Sequence, residues 1–250
     1  SNVSRVPLIV VRNDLGGVYK IQQVDCDLTV VMSEEGIEAF KAIGVPGDKL
    51  MQANLLVRPE FLVHRKTTID DITLDSSRPL RILLSAGGEG LGNLFASADM
   101  ILTEASNAGR NIELELLAGR NQKLSEKLFE HFRGSPVNVH GYREDMPALM
   151  SSVDLVVGKC GANYTMETLM LGKPFLITQI GAPNEKPNME YVVSRGCGWY
   201  AKNRVAERDI FALIFSNPAE IHAKMKNLAK LPSMSGAEQI ADRVILELGG

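Results

Sequence analysis

The chain is poor in the residues that staple, chelate or anchor a protein. Its 250 residues include three cysteines, four histidines and one tryptophan. Cys26, Cys160 and Cys197 are widely spaced, odd in number and set among apolar residues and glycines. That pattern excludes a disulfide framework or a zinc-ligand spacing and reads as reduced thiols of a cytosolic protein. His64, His131, His140 and His222 are scattered, with no paired spacing, so no bound metal is expected. There is no long basic run and the formal net charge is −3, which argues against a nucleic-acid groove or a strongly anionic membrane face. No apolar stretch approaches the roughly 20 residues of a membrane-crossing helix, and the first residues lack a signal-peptide pattern. What is present, 45% hydrophobic residues over this length, suits one large domain or one and a half smaller ones.

From Leu80 onward, apolar runs of strand length alternate with segments of helical spacing. Strands are predicted over 80–86, 111–117, 137–140, 153–158, 174–178 and 198–201, with helices between them and three helices closing the chain. This βα alternation predicts an α/β fold, a parallel sheet with helices on both faces. The first part differs. Strands are predicted over 7–12, 27–32 and 49–55, and a helix over 33–43 with Ser33 as N-cap. So few elements cannot cover a parallel sheet, and they read as the trailing part of an N-terminal lobe. The expected division is 1–57 for that part and 58–250 for the following domain.

Five groups of residues carry chemical meaning. Gly87-Gly88-Glu89-Gly90-Leu91-Gly92 joins a predicted strand to a predicted helix. Glycines allow close backbone approach and a helix N-terminus favours an anion, so a diphosphate is a natural ligand and a bare tight turn the alternative. A dinucleotide fingerprint fits less well, because Asn93 stands where Gly or Ala is expected. Lys159, Gly161 and Ala162 sit at the next such junction, after Val153–Gly158. There a lysine could neutralise phosphate, and Glu167, off the apolar face of Ala162, Met166, Leu169 and Met170, could accept a ribose diol. Glu185 and Asn188, near the start of the following helix, suit sugar hydroxyls or simply begin that helix behind Pro187. Tyr142 and Arg143, after a strand ending at His140, could hold a flat base or pack under a loop. Asp25-Cys26-Asp27 reads as a turn before a strand. Both glycine-containing junctions fall at the carboxyl ends of strands, where open α/β sheets bind ligands.

The order of these features, a Gly-rich loop, Gly-Tyr, Lys159-Cys160-Gly161-Ala162 with Glu167, then Ala182-Pro183-Asn184-Glu185-Lys186-Pro187-Asn188, resembles glycosyltransferase family 28. The lipid branch, with the monogalactosyldiacylglycerol synthases and diacylglycerol glucosyltransferases, fits better than the MurG-type enzymes. Asp14-Leu15-Gly16-Gly17-Val18 and Leu56-Val57-Arg58-Pro59-Glu60-Phe61 resemble the end of that branch's N-lobe. Tyr19 and Lys20 stand where that branch often has His and Pro, and Asn184 stands at its usual Gln.

The resemblance implies a GT-B fold of two Rossmann-like lobes, of which this chain holds the donor lobe and the end of the other. It implies an inverting UDP-sugar hexosyltransferase with no metal or other cofactor, acting on a lipid-type or polyisoprenoid-linked acceptor, the base being unassigned. Gly87, Gly88 and Gly90 would lie by the diphosphate or the cleft, Tyr142 and Arg143 beside uracil, and Lys159, Gly161 and Ala162 at the diphosphate. Glu167 would meet the ribose, and Glu185 and Asn188 the sugar. The missing N-lobe or a partner chain would complete it at the cytoplasmic face of a membrane. The alternatives are a nucleotide-sugar-binding module that needs a partner chain and an enzyme like UDP-N-acetylglucosamine 2-epimerase.

Overall fold

The computed structural model describes residues 6–16, 25–65, 78–85 and 94–247. Its larger sheet has six parallel strands: β4 (Leu80–Ser85), β5 (Ile112–Leu117), β6 (Val137–His140), β7 (Leu155–Lys159), β8 (Phe175–Gln179) and β9 (Gly198–Tyr200). They lie in the order β6-β5-β4-β7-β8-β9. The runs are near-continuously apolar because the sheet is covered on both faces. Along β4, Ile82 and Leu84 join one core cluster, and Leu83, between them, joins the other. That is the period-two alternation of a strand, with each face buried.

One face carries α3 (Leu94–Asn107), α4 (Gln122–His131), α8 (Arg204–Ser216) and α9 (Ala219–Leu228), which supply Ile101, Leu128, Phe211 and Ile221 to its core. The other carries α5 (Met146–Ser152), α6 (Ala162–Met170) and α7 (Lys186–Ser194), through Met150, Met166, Leu169 and Val192. In the turn after α6, Gly172-Lys173-Pro174, Lys173 is buried and its Nζ donates to the carbonyls of Ser151 and Val153, at the end of α5.

The first part forms a separate parallel sheet, β1 (Ile9–Val11), β2 (Leu28–Val31) and β3 (Leu50–Gln52), in that order. Helix α1 (Glu34–Ala42) starts where Ser33 caps it, accepting from the Gly36 N–H at 3.0 Å. The strand expected over 49–55 is shorter, because Gly47–Lys49 coils into a 3-10 turn. Leu28, Val30, Leu55 and, from the short helix α2 (Pro59–Leu62), Phe61 share a core cluster with Met166 and Leu169. The last helix, α10 (Ala237–Glu247), returns to this part, where Gln239 Oε1 accepts from the Asn54 N–H at 2.8 Å.

Other boundaries shift for local reasons. The helix expected from Arg143 begins at Met146, because Arg143 turns back to chelate Asp145 and, through Nη1, to meet His140 Nδ1 at 3.1 Å. Strand β7 runs on to Lys159 through a register shift at Gly158 and Lys159. A Cβ on Gly158 would lie 2.8 Å from the Ser85 carbonyl oxygen, so only glycine lets β7 approach β4 this closely at the site. Asp25-Cys26-Asp27 is the turn before β2, with Asp27 Oδ2 accepting from the Leu8 N–H at 2.8 Å.

Candidate functional site

Strand order reverses at β4, whose neighbours are β5 on one side and β7 on the other. The two chain directions leave a crevice at the carboxyl ends of these strands, the usual ligand position in an open α/β sheet. A cleft of about 320 Å³ opens there, in the size range of small-molecule sites. Ser85 closes β4, Leu117 closes β5 with Gly119 just beyond it, and Tyr142, Arg143 and Met146 follow β6. Lys159 closes β7 with Gly161 just beyond it, and Tyr164 and Glu167 come from α6.

Five of the expected residues therefore share one cavity: Tyr142, Arg143, Lys159, Gly161 and Glu167. Ser85, Leu117, Gly119, Met146 and Tyr164 were not singled out, although the first three are strand-end residues that the switch-point rule alone points to. Ala162 is the first residue of α6. The Gly-rich loop with Gly87, Gly88 and Gly90 follows Ser85 directly in the chain and lies outside the described residues, as do Tyr19 and Lys20. Glu185 and Asn188 are buried and do not line the cavity. Asn188 departs from the expectation of a sugar contact: it is fully buried and its amide is committed within the protein. Its Oδ1 accepts from the Leu15 N–H at 2.8 Å, and its Nδ2 donates to Asp14 and to the Cys160 carbonyl.

Helix α6 opens with Gly161 as N-cap and no side-chain cap, so its first N–H groups and its positive dipole end face the cleft. Beside it, Lys159 Nζ lies 2.7 Å from Glu185 Oε1. The other oxygen of that carboxylate accepts from the Gly181 N–H at 2.6 Å. The lysine stem lies against Gly181, where a Cβ would come 2.7 Å from Lys159 Cε. A buried acid thus holds in place the one lysine that lines the cleft among the described residues.

On the opposite wall, Tyr142 is exposed, and the Arg120 guanidinium lies 4.4 Å from its ring centroid. Arg143 is fixed by Asp145 and by His140, whose Nε2 is 2.6 Å from Glu115 Oε2. Glu115 is buried within the sheet and also accepts from Arg81 at 2.5 Å. Burial opposes its ionisation, but the hydrogen bonds from His140, Arg81 and Asn138 outweigh that and hold its pKa below the usual carboxylate range.

Glu167 lies between cleft and core. Burial raises its pKa, against the pull of Arg58, whose Nε donates to Oε1 at 3.3 Å. Among the described residues Oε2 has no partner and remains available as an acceptor. Tyr164 lies beneath, its phenol pKa raised by burial. Cys160 is no nucleophile: burial, reinforced by Glu185, pushes its thiol up to about 11. Among the described residues no group of three or more His, Cys, Asp or Glu side chains is placed to hold a metal.

Residues 85–244 match the model of the glycosyltransferase family 28 C-terminal domain. Monogalactosyldiacylglycerol synthase 3, chloroplastic, of Arabidopsis thaliana is 29% identical over 195 residues, covering 75% of this chain and 42% of the relative. The chain thus spans about two fifths of that protein's length. Among solved structures, a Staphylococcus aureus MnaA–UDP complex superposes with a TM-score of 0.69 at 12% identity, over 97% of this chain and 70% of the other. MurG of Acinetobacter baumannii superposes with a TM-score of 0.57 at 14% identity, over 90% of this chain and 74% of the other. At such identities the likeness is one of fold, and it is the two-lobed GT-B fold. The sequence match, which runs from the last residue of β4 through β9, goes further: the chain belongs to glycosyltransferase family 28 and carries its C-terminal domain.

Proposed function

We propose that this chain is the donor-binding part of an inverting UDP-sugar hexosyltransferase that needs no metal and acts on a lipid-type acceptor. The observation that carries the reading is the meeting of Lys159, the uncapped start of α6, Tyr142 and Glu167 in one switch-point cleft. Each has a counterpart in a nucleoside diphosphate. Tyr142, backed by Arg120, offers a stacking face to uracil. The two oxygens of Glu167 suit a ribose diol. Lys159 and the α6 N–H groups suit the diphosphate, and Glu185 stands next to where a hexose would emerge.

The reaction is one in-line displacement. An acceptor oxygen bonds to the anomeric carbon as the bond from that carbon to the diphosphate breaks, and the acceptor proton passes to a base on the acceptor side. The charge that develops on the leaving phosphate meets Lys159 and fixed backbone dipoles, which need no reorganisation during the step. The acceptor site and the base are assigned to an N-terminal lobe or a partner chain. Contact with the lipid is proposed to be peripheral, at the cytoplasmic face; among the described residues no helix is long and apolar enough to cross a membrane. Family membership disfavours the epimerase alternative, and the binding-module alternative differs by predicting no transfer in any context.

Calorimetry with UDP, UMP and NAD, in the presence of EDTA, tests the reading. UDP is expected to bind, UMP more weakly because it lacks a phosphate for Lys159, and NAD not measurably. Binding that vanishes on chelation, or equal affinity for NAD, would overturn it.

Replacing Glu167 by Gln separates its two environments. In the free protein burial raises the pKa of its carboxyl group, with Arg58 opposing the shift. A carboxyl group with a raised folded-state pKa destabilises the fold once pH exceeds its unfolded-state value, and this penalty grows up to the folded-state pKa. Gln removes that term, so Tm at neutral pH is expected to stay level or rise. UDP binding should nonetheless weaken by about ten-fold, the loss of roughly 1.5 kcal/mol of charge-assisted hydrogen bonding. A fall in Tm with unchanged affinity would make Glu167 a purely structural partner of Arg58.

A further inference from the structure

The chain segment that leaves β1 lies across the loop that carries Glu185. Asp14 Oδ2 accepts from Asn184 Nδ2 at 3.2 Å, and Asp14 Oδ1 accepts from Asn188 Nδ2 at 3.3 Å. Next to it, the Leu15 N–H donates to Asn188 Oδ1, and the Leu15 carbonyl accepts from Ser33 Oγ at 2.5 Å. One residue earlier, Asn13 Nδ2 donates to Asn163 Oδ1, on the first turn of α6, at 3.2 Å. A Cβ on Gly16 would sit 3.4 Å from Pro187 Cβ, so the backbone itself rests on the loop. Asn184 and Asn188 bracket Glu185, and both are held by the same carboxylate.

We propose that Asp14 is a positioning residue for the donor-sugar loop. By receiving both asparagine amides it fixes the turn between them, and with it the reach of Glu185. The inference rests on the donor-site reading above and extends it to a residue of the first sheet. Cohesion alone does not call for this carboxylate. Leu15, Leu28, Val30 and Leu55 already join the two sheets in one core. The Asp14 contacts are long and part-buried, which makes them weak as adhesive, whereas their direction is set by two partners on one loop. Asp14 also sits where the segment passes from one donor wall, α6, to the other. A change in this segment therefore shifts the loop without touching the nucleotide.

The test is a comparison of ligands. In Asp14→Ala, UDP-glucose and UDP-galactose are expected to bind about five- to ten-fold more weakly, while UDP changes by less than about two-fold, since Glu185 keeps its pairing with Lys159 and the Gly181 N–H and only its aim at the sugar alters. Asn184→Ala should share the effect, and combining the two should add little, as for groups acting through one contact. Asp14→Asn should retain wild-type affinities, because Asn184 can turn its amide over and present its oxygen. Equal weakening of UDP and both UDP-sugars, or no change in any of them, would overturn the positioning role. Independent, additive losses would do the same. Failure of the unaltered chain to bind UDP at all would instead remove the donor-site reading, and this inference with it.

Discussion

Arg78→Met is expected to lower Tm by roughly 6–20 °C while leaving UDP affinity at temperatures below the transition unchanged. Asp154 stands at the entrance to β7, nearly buried, and receives Arg78 through both oxygens at 2.7 and 2.6 Å. Its Oδ2 also accepts from the Arg81 N–H, on β4, at 2.9 Å. The bridge therefore pins together the amino ends of the two strands whose carboxyl ends open the switch-point cleft. Removing the guanidinium leaves a carboxylate in a dry site with one backbone N–H for a partner. Arg78 is itself part-exposed, so the cost is that of stranding the nearly buried Asp154 charge, roughly 3–5 kcal/mol, and each kcal/mol moves Tm by about 2–4 °C in a chain of this size. Adding Asp154→Asn removes the stranded charge yet keeps an acceptor for Arg81, so the double variant should melt above the single one. Thermal melts of both variants check this. A single-variant shift below about 2 °C, or a double variant no better than the single, would mean that water already compensates Asp154. The ligand arm matters equally, because the bridge lies at the opposite end of the strands from the cleft.

Much of this arrangement was legible before any coordinates. Apolar runs at strand length gave all six strands of the larger sheet, and the off-face position of Glu167 followed from helical spacing around Met166 and Met170. Ser33 capped its helix as its chemistry suggests. The switch-point argument placed the cleft correctly even though it left Ser85, Leu117 and Gly119 unnamed. Three things were not legible, each depending on contacts between segments remote in sequence. The first is the pairing of site charges, Lys159 with Glu185 and Glu167 with Arg58, which nothing local in the sequence encodes. The second is the depth of Asn188: a polar residue one turn into a helix reads as a surface group until Leu15 and Asp14 arrive to use its amide. The third is Glu115, a carboxylate inside an apolar strand that alternation alone would turn toward solvent. Arg81, from β4, and His140 and Asn138, from β6, the two strands that flank its own, make its burial tolerable.

Lys159→Met and Glu185→Gln are expected to move UDP binding in opposite directions. In the free protein the lysine is not waiting for phosphate, since Glu185 Oε1 holds it at 2.7 Å. An incoming diphosphate must share that cation and approach a carboxylate whose second oxygen is anchored to the Gly181 N–H. Lys159→Met removes the attraction and leaves the acid unneutralised. The loss of a charge-assisted hydrogen bond, about 1.5–3 kcal/mol, corresponds to roughly a 10- to 150-fold drop in affinity. The unpaired negative charge pushes the result toward the larger figure. Glu185→Gln keeps an acceptor for Gly181 and takes away the competing charge, so Lys159 is released to the phosphates and UDP should bind a few-fold more tightly. The same change removes the strongest acceptor that the loop can offer a sugar hydroxyl. UDP-glucose and UDP-galactose should accordingly lose affinity in the variant that gains it for UDP. Calorimetry at one fixed ionic strength reads all of these, the fixed salt being needed because screening alters every term. Weaker UDP binding by Glu185→Gln would show that the carboxylate acts chiefly by aiming Lys159 at the phosphates, not by competing with them. Unchanged binding by Lys159→Met would leave the α6 N-terminus as the sole anchor of the diphosphate and remove the lysine from the site.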